Sequence, residues 1–136
     1  MATVYRSAHI VVQHHRASAH VRVIRSGVQF ESVPQVVKTY AACRRAVAVI
    51  DPARHGILFD VRQGPLSTDA QLHRALVEQV DLVASDFARS AILVQTSVGS
   101  MQVHRVGRNL SAQALAVFNE ESAALRYLSE RREPGY

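Results

Sequence analysis

The sequence predicts an α/β domain with a mostly parallel central sheet, an antiparallel edge strand and flanking helices, in the element order ββαβαβαβα. Three observations carry this reading. Two β-branched runs near the N-terminus are separated by a short loop; from Val28 the hydrophobic period changes from two to 3.6; and the later apolar runs ILFDV and AILV alternate with long stretches of helical spacing. Strands separated by helices imply right-handed crossovers, and those set the strands parallel with helices on both faces.

The first two strands are read at His9 to His14 and His20 to Ser26, joined by Arg16-Ala17-Ser18-Ala19. Val21 and Val23 share one face with Arg22, His20 and Ile24 on the other, and Ile10 and Val12 oppose Val11, so one face meets the core. Ser32-Val33-Pro34-Gln35 has the form of a capping box with proline in the first turn and starts a helix from Val33 to about Ile50. Its apolar stripe is Val36, Val37, Tyr40, Ala41, Val47 and Ala48; Lys38, Arg44 and Arg45 face water. Ile57 to Val61 is a central strand covered on both sides. Leu72, Leu76, Val80, Val83 and Phe87 mark a second helix running from Ser67 to near Asp86, and Ala91 to Val94 is the next buried strand. A short third helix after Val98-Gly99-Ser100 carries Met101 and Val106, and Ala114 to Phe118 forms the last strand. Asn119 caps a final helix with Ala123, Ala124, Tyr127 and Leu128 inward and Glu120 and Glu121 at its positive end. These elements make one domain over residues 1–131, with residues 132–136 as a frayed polar tail.

Composition narrows the function classes. The chain has 136 residues, 48% of them apolar, and no stretch approaching the roughly 20 apolar residues of a membrane span, so a cytoplasmic protein is expected. A net charge of +5 raises the question of nucleic acid, but arginine supplies fifteen of the sixteen cations, no run exceeds two, and aromatic residues are not interleaved with them. No nucleic-acid partner is expected. Cys43, the single cysteine, lies in a helical pattern and reads as a small half-buried hydrophobe.

The N-terminal hairpin, the strand ILFDV ending in Asp60, the strand AILVQTSVGSMQVHR running into a short helix, and the close LAVFNEESAALRYL together resemble the SpoIIAA-like branch of the STAS fold, the family named for sulfate transporters and anti-sigma-factor antagonists. The resemblance covers the whole chain in order of elements. It implies a non-catalytic regulatory module that binds another protein, in which a Ser or Thr at the start of the helix after the central strand accepts a phosphoryl group. Ser67 and Thr68, in the loop Gln63 to Asp69, hold the matching place; the Asp before and the Gly after that mark the family motif are absent here. Related folds also hold lipids, so the resemblance leaves a small apolar ligand as the alternative, with an enzyme site at the carboxyl end of the sheet behind it.

The residues themselves give local readings. Ser67 or Thr68 suits an N-cap, worth about 1 kcal/mol, and a phosphate there would add negative charge at a positive helix end. Asp60 stands where open α/β sheets place ligands and reads first as a hydrogen-bond acceptor orienting its loop. Gly99-Ser100 after Thr96 and Ser97, with Arg105 and Arg108 beyond, reads as a turn first and an anion site second. His9, His14, His15 and His20 fall on or beside the hairpin and read as a solvated edge; His55, His73 and His104 are isolated in the sequence. No catalytic constellation, metal site or cofactor is expected. Right-handed crossovers bring the Gln63 to Asp69 loop and the Thr96 to Met101 turn to one end of the sheet. The expected docking surface therefore combines Ser67, Thr68, Thr96, Ser97 and Ser100 with apolar Leu66 and Met101 and cationic Arg62 and Arg105. An exposed edge strand also leaves pairing of two copies into a homodimer open.

Overall fold

The computed structural model describes residues 1–65, 69–95 and 115–130. Its N-terminal part is a three-stranded antiparallel meander: β1 (Ala2–Arg6), β2 (Ile10–His15) and β3 (His20–Arg25). Helix α1 (Val33–Val47), a 3-10 turn (Pro52–Arg54), β4 (Gly56–Asp60), helix α2 (Ala70–Ala84), β5 (Arg89–Leu93), β6 (Ala116–Phe118) and helix α3 (Glu121–Ser129) follow. The six strands form one sheet in sequence order, antiparallel from β1 to β3 and parallel from β3 to β6. The fold is thus α/β with a mixed sheet whose antiparallel part lies at one edge.

Alternation in the hairpin is what the side chains predict. Ile10, Val12, Val21 and Val23 are fully buried on the face that α1 and α2 cover, and Ala19 turns the chain in the left-handed region at φ 50°. The Ser32 hydroxyl accepts from the Gln35 backbone N–H at 3.2 Å, and the Gln35 side chain accepts from the Glu31 N–H at 2.7 Å, so α1 opens on a reciprocal cap. Helix α1 buries Val36, Tyr40, Cys43 and Val47 and packs beside α2. All five residues of β4 are buried: Ile57 and Phe59 lie under α1 and α2, while Leu58 joins Ala91, Leu93 and Ala124 in a second core beneath α3.

Several expectations need correction. The meander has three strands rather than two, because the mostly exposed run Ala2–Arg6 lacks the apolar alternation that marks a strand in the sequence and is held by pairing with β2 and by Tyr5 packing on the core. β1, not the first strand of the hairpin, is therefore the antiparallel edge, and its register shifts between Thr3 and Tyr5. Helix α1 stops at Val47 rather than near Ile50, and Val37, 42% exposed, and Ala48 lie outside its buried stripe. Helix α2 begins three residues later than Ser67, capped by Asp69, whose carboxylate accepts from the Gln71 and Leu72 N–H groups. Helix α3 is capped by Glu120 without a side-chain hydrogen bond, not by Asn119; β6 spans Ala116–Phe118, and Ala114, the expected start of that strand, lies outside the described residues. The predicted short helix with Met101 and Val106, and the tail 132–136, lie outside the described residues.

Gly56 lets α3 sit directly on β4. A β-carbon there would stand 3.0 Å from Leu128 Cδ2 and 3.1 Å from Leu128 Cβ, whereas one at Gly27 would meet nothing nearer than 3.7 Å. Gly56→Ala is therefore expected to lower unfolding free energy by about 1–3 kcal/mol through overpacking, and Gly27→Ala to stay within about 0.5 kcal/mol of wild type. Urea unfolding of the three proteins checks this; equal midpoints would show that α3 does not rest on Gly56.

Candidate functional site

Asp60 ends β4 at the carboxyl end of the parallel strands and is 5% exposed. Both its oxygens are engaged by one neighbour. Oδ1 accepts from the Arg62 backbone N–H at 3.3 Å and from Nε at 3.0 Å, while Oδ2 accepts from an Arg62 terminal nitrogen at 2.7 Å. That guanidinium reaches on to Glu121 Oε1 at 3.3 Å, and the same Glu121 oxygen accepts from Arg22 of β3 at 2.8 Å. Four side chains from β3, β4, the loop after β4 and the first turn of α3 are thus tied together. Glu121 also stands at the positive end of α3, which favours its charge.

The electrostatics follow from that geometry. Burial pushes the Asp60 carboxyl up, but hydrogen bonds from Arg62 and the charges of Arg62 and Arg22 outweigh it and hold the group below the ordinary carboxylate value. The Asp60 hydrogen bond raises Arg62 in turn. Loop backbone continues the ladder beyond the strands: Val61 donates to the Leu93 carbonyl at 3.0 Å and Val94 to that of Phe118 at 2.8 Å. What the arrangement does is fix the start of the loop after β4 against α3, with Arg62 bound to both Asp60 oxygens.

Of the residues expected to form the docking surface, Asp60 and Arg62 are placed, and Arg62 spends its charge on Asp60 and Glu121. Leu66, Ser67, Thr68, Thr96, Ser97, Ser100, Met101 and Arg105 lie outside the described residues. Described neighbours at that end include exposed Gln63, Gln71 and Arg74. Glu121 and Arg22 were not singled out by sequence reasoning. Glu121 sits 99 residues from Arg22, and only the alternation that puts Arg22 on the face opposite the main core hinted at a partner.

The histidines require a second correction, because they are not a solvated edge. His9 is buried and stacks on Phe30 at 4.2 Å between ring centroids, with Arg25 on that ring at 4.6 Å. His20 is 4% exposed, stacks on His15 at 4.5 Å, and pairs through Nδ1 with the Ser18 hydroxyl at 2.8 Å, leaving Nε2 buried without a hydrogen bond. Burial, with the nearby His15 and Arg22, lowers His20 to about 4. Nor is His55 isolated, since its Nε2 lies 3.1 Å from His14 Nε2. Cys43 is fully rather than half buried, and burial pushes its thiol up to about 12. Among the described residues no group of three or more His, Cys, Asp or Glu side chains is arranged to hold a metal ion. No described helix is long and apolar enough to cross a membrane. A groove of about 470 Å³ lies at the opposite end of the sheet, between the C-terminal parts of α1 and α2, lined by Val47, Ile50, Val83 and Phe87 with Arg44 and Arg45.

Two outcomes are expected. Arg62→Ala leaves a buried carboxylate without its main partner, which raises the Asp60 pKa and costs about 1–2 kcal/mol, discounted because Arg62 is partly exposed; carboxyl NMR titration and denaturant unfolding measure both, and Asp60→Asn/Arg62→Ala should lose less than the sum of the single variants. His20 has a folded-state pKa below its unfolded value of about 6.5, so the unfolded chain binds the extra proton and stability falls as pH drops from about 6.5 to about 4, by roughly 3 kcal/mol. Unfolding free energies measured across that window should show the loss in wild type and a flatter profile in His20→Gln. Comparison of the chain with protein-family models, with curated proteins and with solved structures gives no match.

Proposed function

We propose that the chain is a non-catalytic regulatory module of STAS-like type that binds another protein at the carboxyl end of its parallel strands. The observation that carries the reading is the state of Asp60. Among the described residues Asp60 is the buried carboxylate at the position where open sheets gather reacting groups, and both its oxygens are bound by Arg62, an ion pair that holds it as a structural anchor rather than leaving it poised as a general base. A site of this kind organises a surface rather than a reaction. The surface comprises the loop after β4 and the first turn of α2, and regulation enters through Ser67 or Thr68. A phosphoryl group there would arrive immediately before Asp69, the cap of α2, and a few residues from Arg62, whose guanidinium is already shared between two carboxylates. Added negative charge so close in sequence to the α2 cap and to the charged tie would change the surface that a partner meets.

A second reading, binding of a small apolar ligand, draws support from the groove at the other end, where apolar walls meet Arg44, Arg45 and Asp86.

Partner capture from the native cell distinguishes these. Wild type is compared with Ser67→Glu/Thr68→Glu, with Gln63→Glu/Arg74→Glu on exposed described positions, and with Val49→Asp, 90% exposed and beside the groove. The module reading expects the first two variants to lose a partner that wild type and Val49→Asp both retain. Retention by every folded variant removes the surface from consideration, and turnover of a small molecule by the protein alone overturns the reading.

A further inference from the structure

The amino end of the parallel strands carries a different chemistry. His14, Val21 and Ile57 lie in one row across β2, β3 and β4, and His55 precedes Ile57 by two residues, so His14 and His55 project on the same face from strands one apart. That separation, about 10 Å between the backbones, is one that two imidazole arms can close. They do so: the two Nε2 atoms stand 3.1 Å apart, with ring centroids at 5.0 Å and planes inclined by 59°.

We propose that His14 and His55 form a two-imidazole site for a divalent transition-metal ion, with water completing its coordination. This stands independently of the protein-docking reading, which concerns the other end of the sheet. Three features support it. Metal–imidazole bonds of about 2.0–2.1 Å place two nitrogen ligands on one ion roughly 2.9 Å apart at a right angle and 3.4 Å apart at a tetrahedral one, and 3.1 Å lies between. His55 Nδ1 is 2.7 Å from the Asp51 carbonyl oxygen, so it is the N–H donor, the tautomer is fixed, and Nε2 presents its lone pair. A ligating histidine held by a backbone carbonyl through its other nitrogen is the usual supporting arrangement in metal sites. The turn that supplies the carbonyl is itself fixed, because the Asp51 carboxylate accepts from the Ala53 N–H at 3.1 Å.

His14 completes the pair. Without metal, its Nε2–H donates to His55 Nε2; with metal, the proton moves to Nδ1 through solvent and Nε2 binds the ion, so no net proton is released from the neutral pair. Two nitrogen donors and open water positions suit Cu²⁺, Ni²⁺ and Zn²⁺ rather than Mg²⁺ or Ca²⁺.

Calorimetric titration of the metal-free protein with Cu²⁺, Ni²⁺, Zn²⁺ and Mg²⁺ tests the proposal, using wild type, His14→Gln, His55→Gln, the double variant, and His73→Gln as a control. The expected result is one ion per chain, Cu²⁺ bound tightest and Mg²⁺ not at all. Each single replacement should weaken Cu²⁺ at least about tenfold, the double variant should bind at least as weakly as the weaker single, and His73→Gln should match wild type. Single variants within about twofold of wild type overturn the site, as does an equal loss in His73→Gln. Side-chain ¹⁵N spectra of the wild-type protein decide the matter even if a variant misfolds: substoichiometric Cu²⁺ should broaden the His14 and His55 ring signals first, and earlier broadening of any other histidine refutes the assignment.

Discussion

Strand β4 has no exposed side chain, and a strand buried on both faces must be covered on both. Much of the architecture follows from that constraint. Ile57 and Phe59 require the α1–α2 layer, and Leu58 requires α3, which returns over β4 and β5 so closely that a β-carbon at Gly56 would press on Leu128 at 3.0 Å. Because the strand ends in Asp60 inside this cover, its carboxylate is cut off from water and needs a charged partner. Arg62, two residues on, supplies it. That guanidinium is open on its other side and takes Glu121 as well, so the helix that covers β4 by packing is also fastened to it by charge.

The two faces of the sheet are unequal. Beneath α1 and α2 the core runs apolar from Ile10 and Val12 through Val23 and Phe59 to Ile92. Beneath α3 it is apolar only over β4 to β6, where Phe118 and Tyr127 pack at 5.5 Å and Arg89 rests on the Tyr127 ring at 4.8 Å. A helix of nine residues is about 13 Å long and does not extend over the meander. That face of β2 and β3 is accordingly polar, with Gln13, His15, His20 and Arg22, and two of its buried nitrogens, His20 Nε2 and Arg22 Nε, have no hydrogen bond. Unsatisfied polar atoms of this sort cost stability, and protonation of buried His20 adds a further cost at low pH.

How much of this was legible in the sequence depends on the range of the interaction. Alternation at Val21 and Val23, the cap at Ser32 and the continuous run at Ile57 are local signals, and the elements they predict are present. β1 was not legible, since Ala2–Arg6 owes its strand form to β2 rather than to its own pattern. Neighbouring cap candidates compete at each helix start, and choosing Ser67 over Asp69 or Asn119 over Glu120 missed by one or two positions because spacing alone does not rank them. The charged tie and the His14–His55 pair were out of reach for a different reason. Their members are 59, 99 and 41 residues apart, and no local periodicity records which strands become neighbours.

Charge at the carboxyl end and imidazoles at the amino end are separated by the length of β4, about 17 Å for five residues, which exceeds the Debye length of about 8–10 Å at physiological salt. An ion or proton gained at one end therefore perturbs the other only weakly through solvent. The short route is β3, where His20 and Arg22 are two residues apart on one face: His20 stacks on His15 at the amino end, while Arg22 holds Glu121 and, through it, the start of α3. The coupling sign is fixed by charge, because a protonated His20 repels Arg22 and attracts Glu121. A positive charge on His20 is therefore felt first by Arg22 and Glu121, the part of the charged tie that lies nearest the amino end of the sheet.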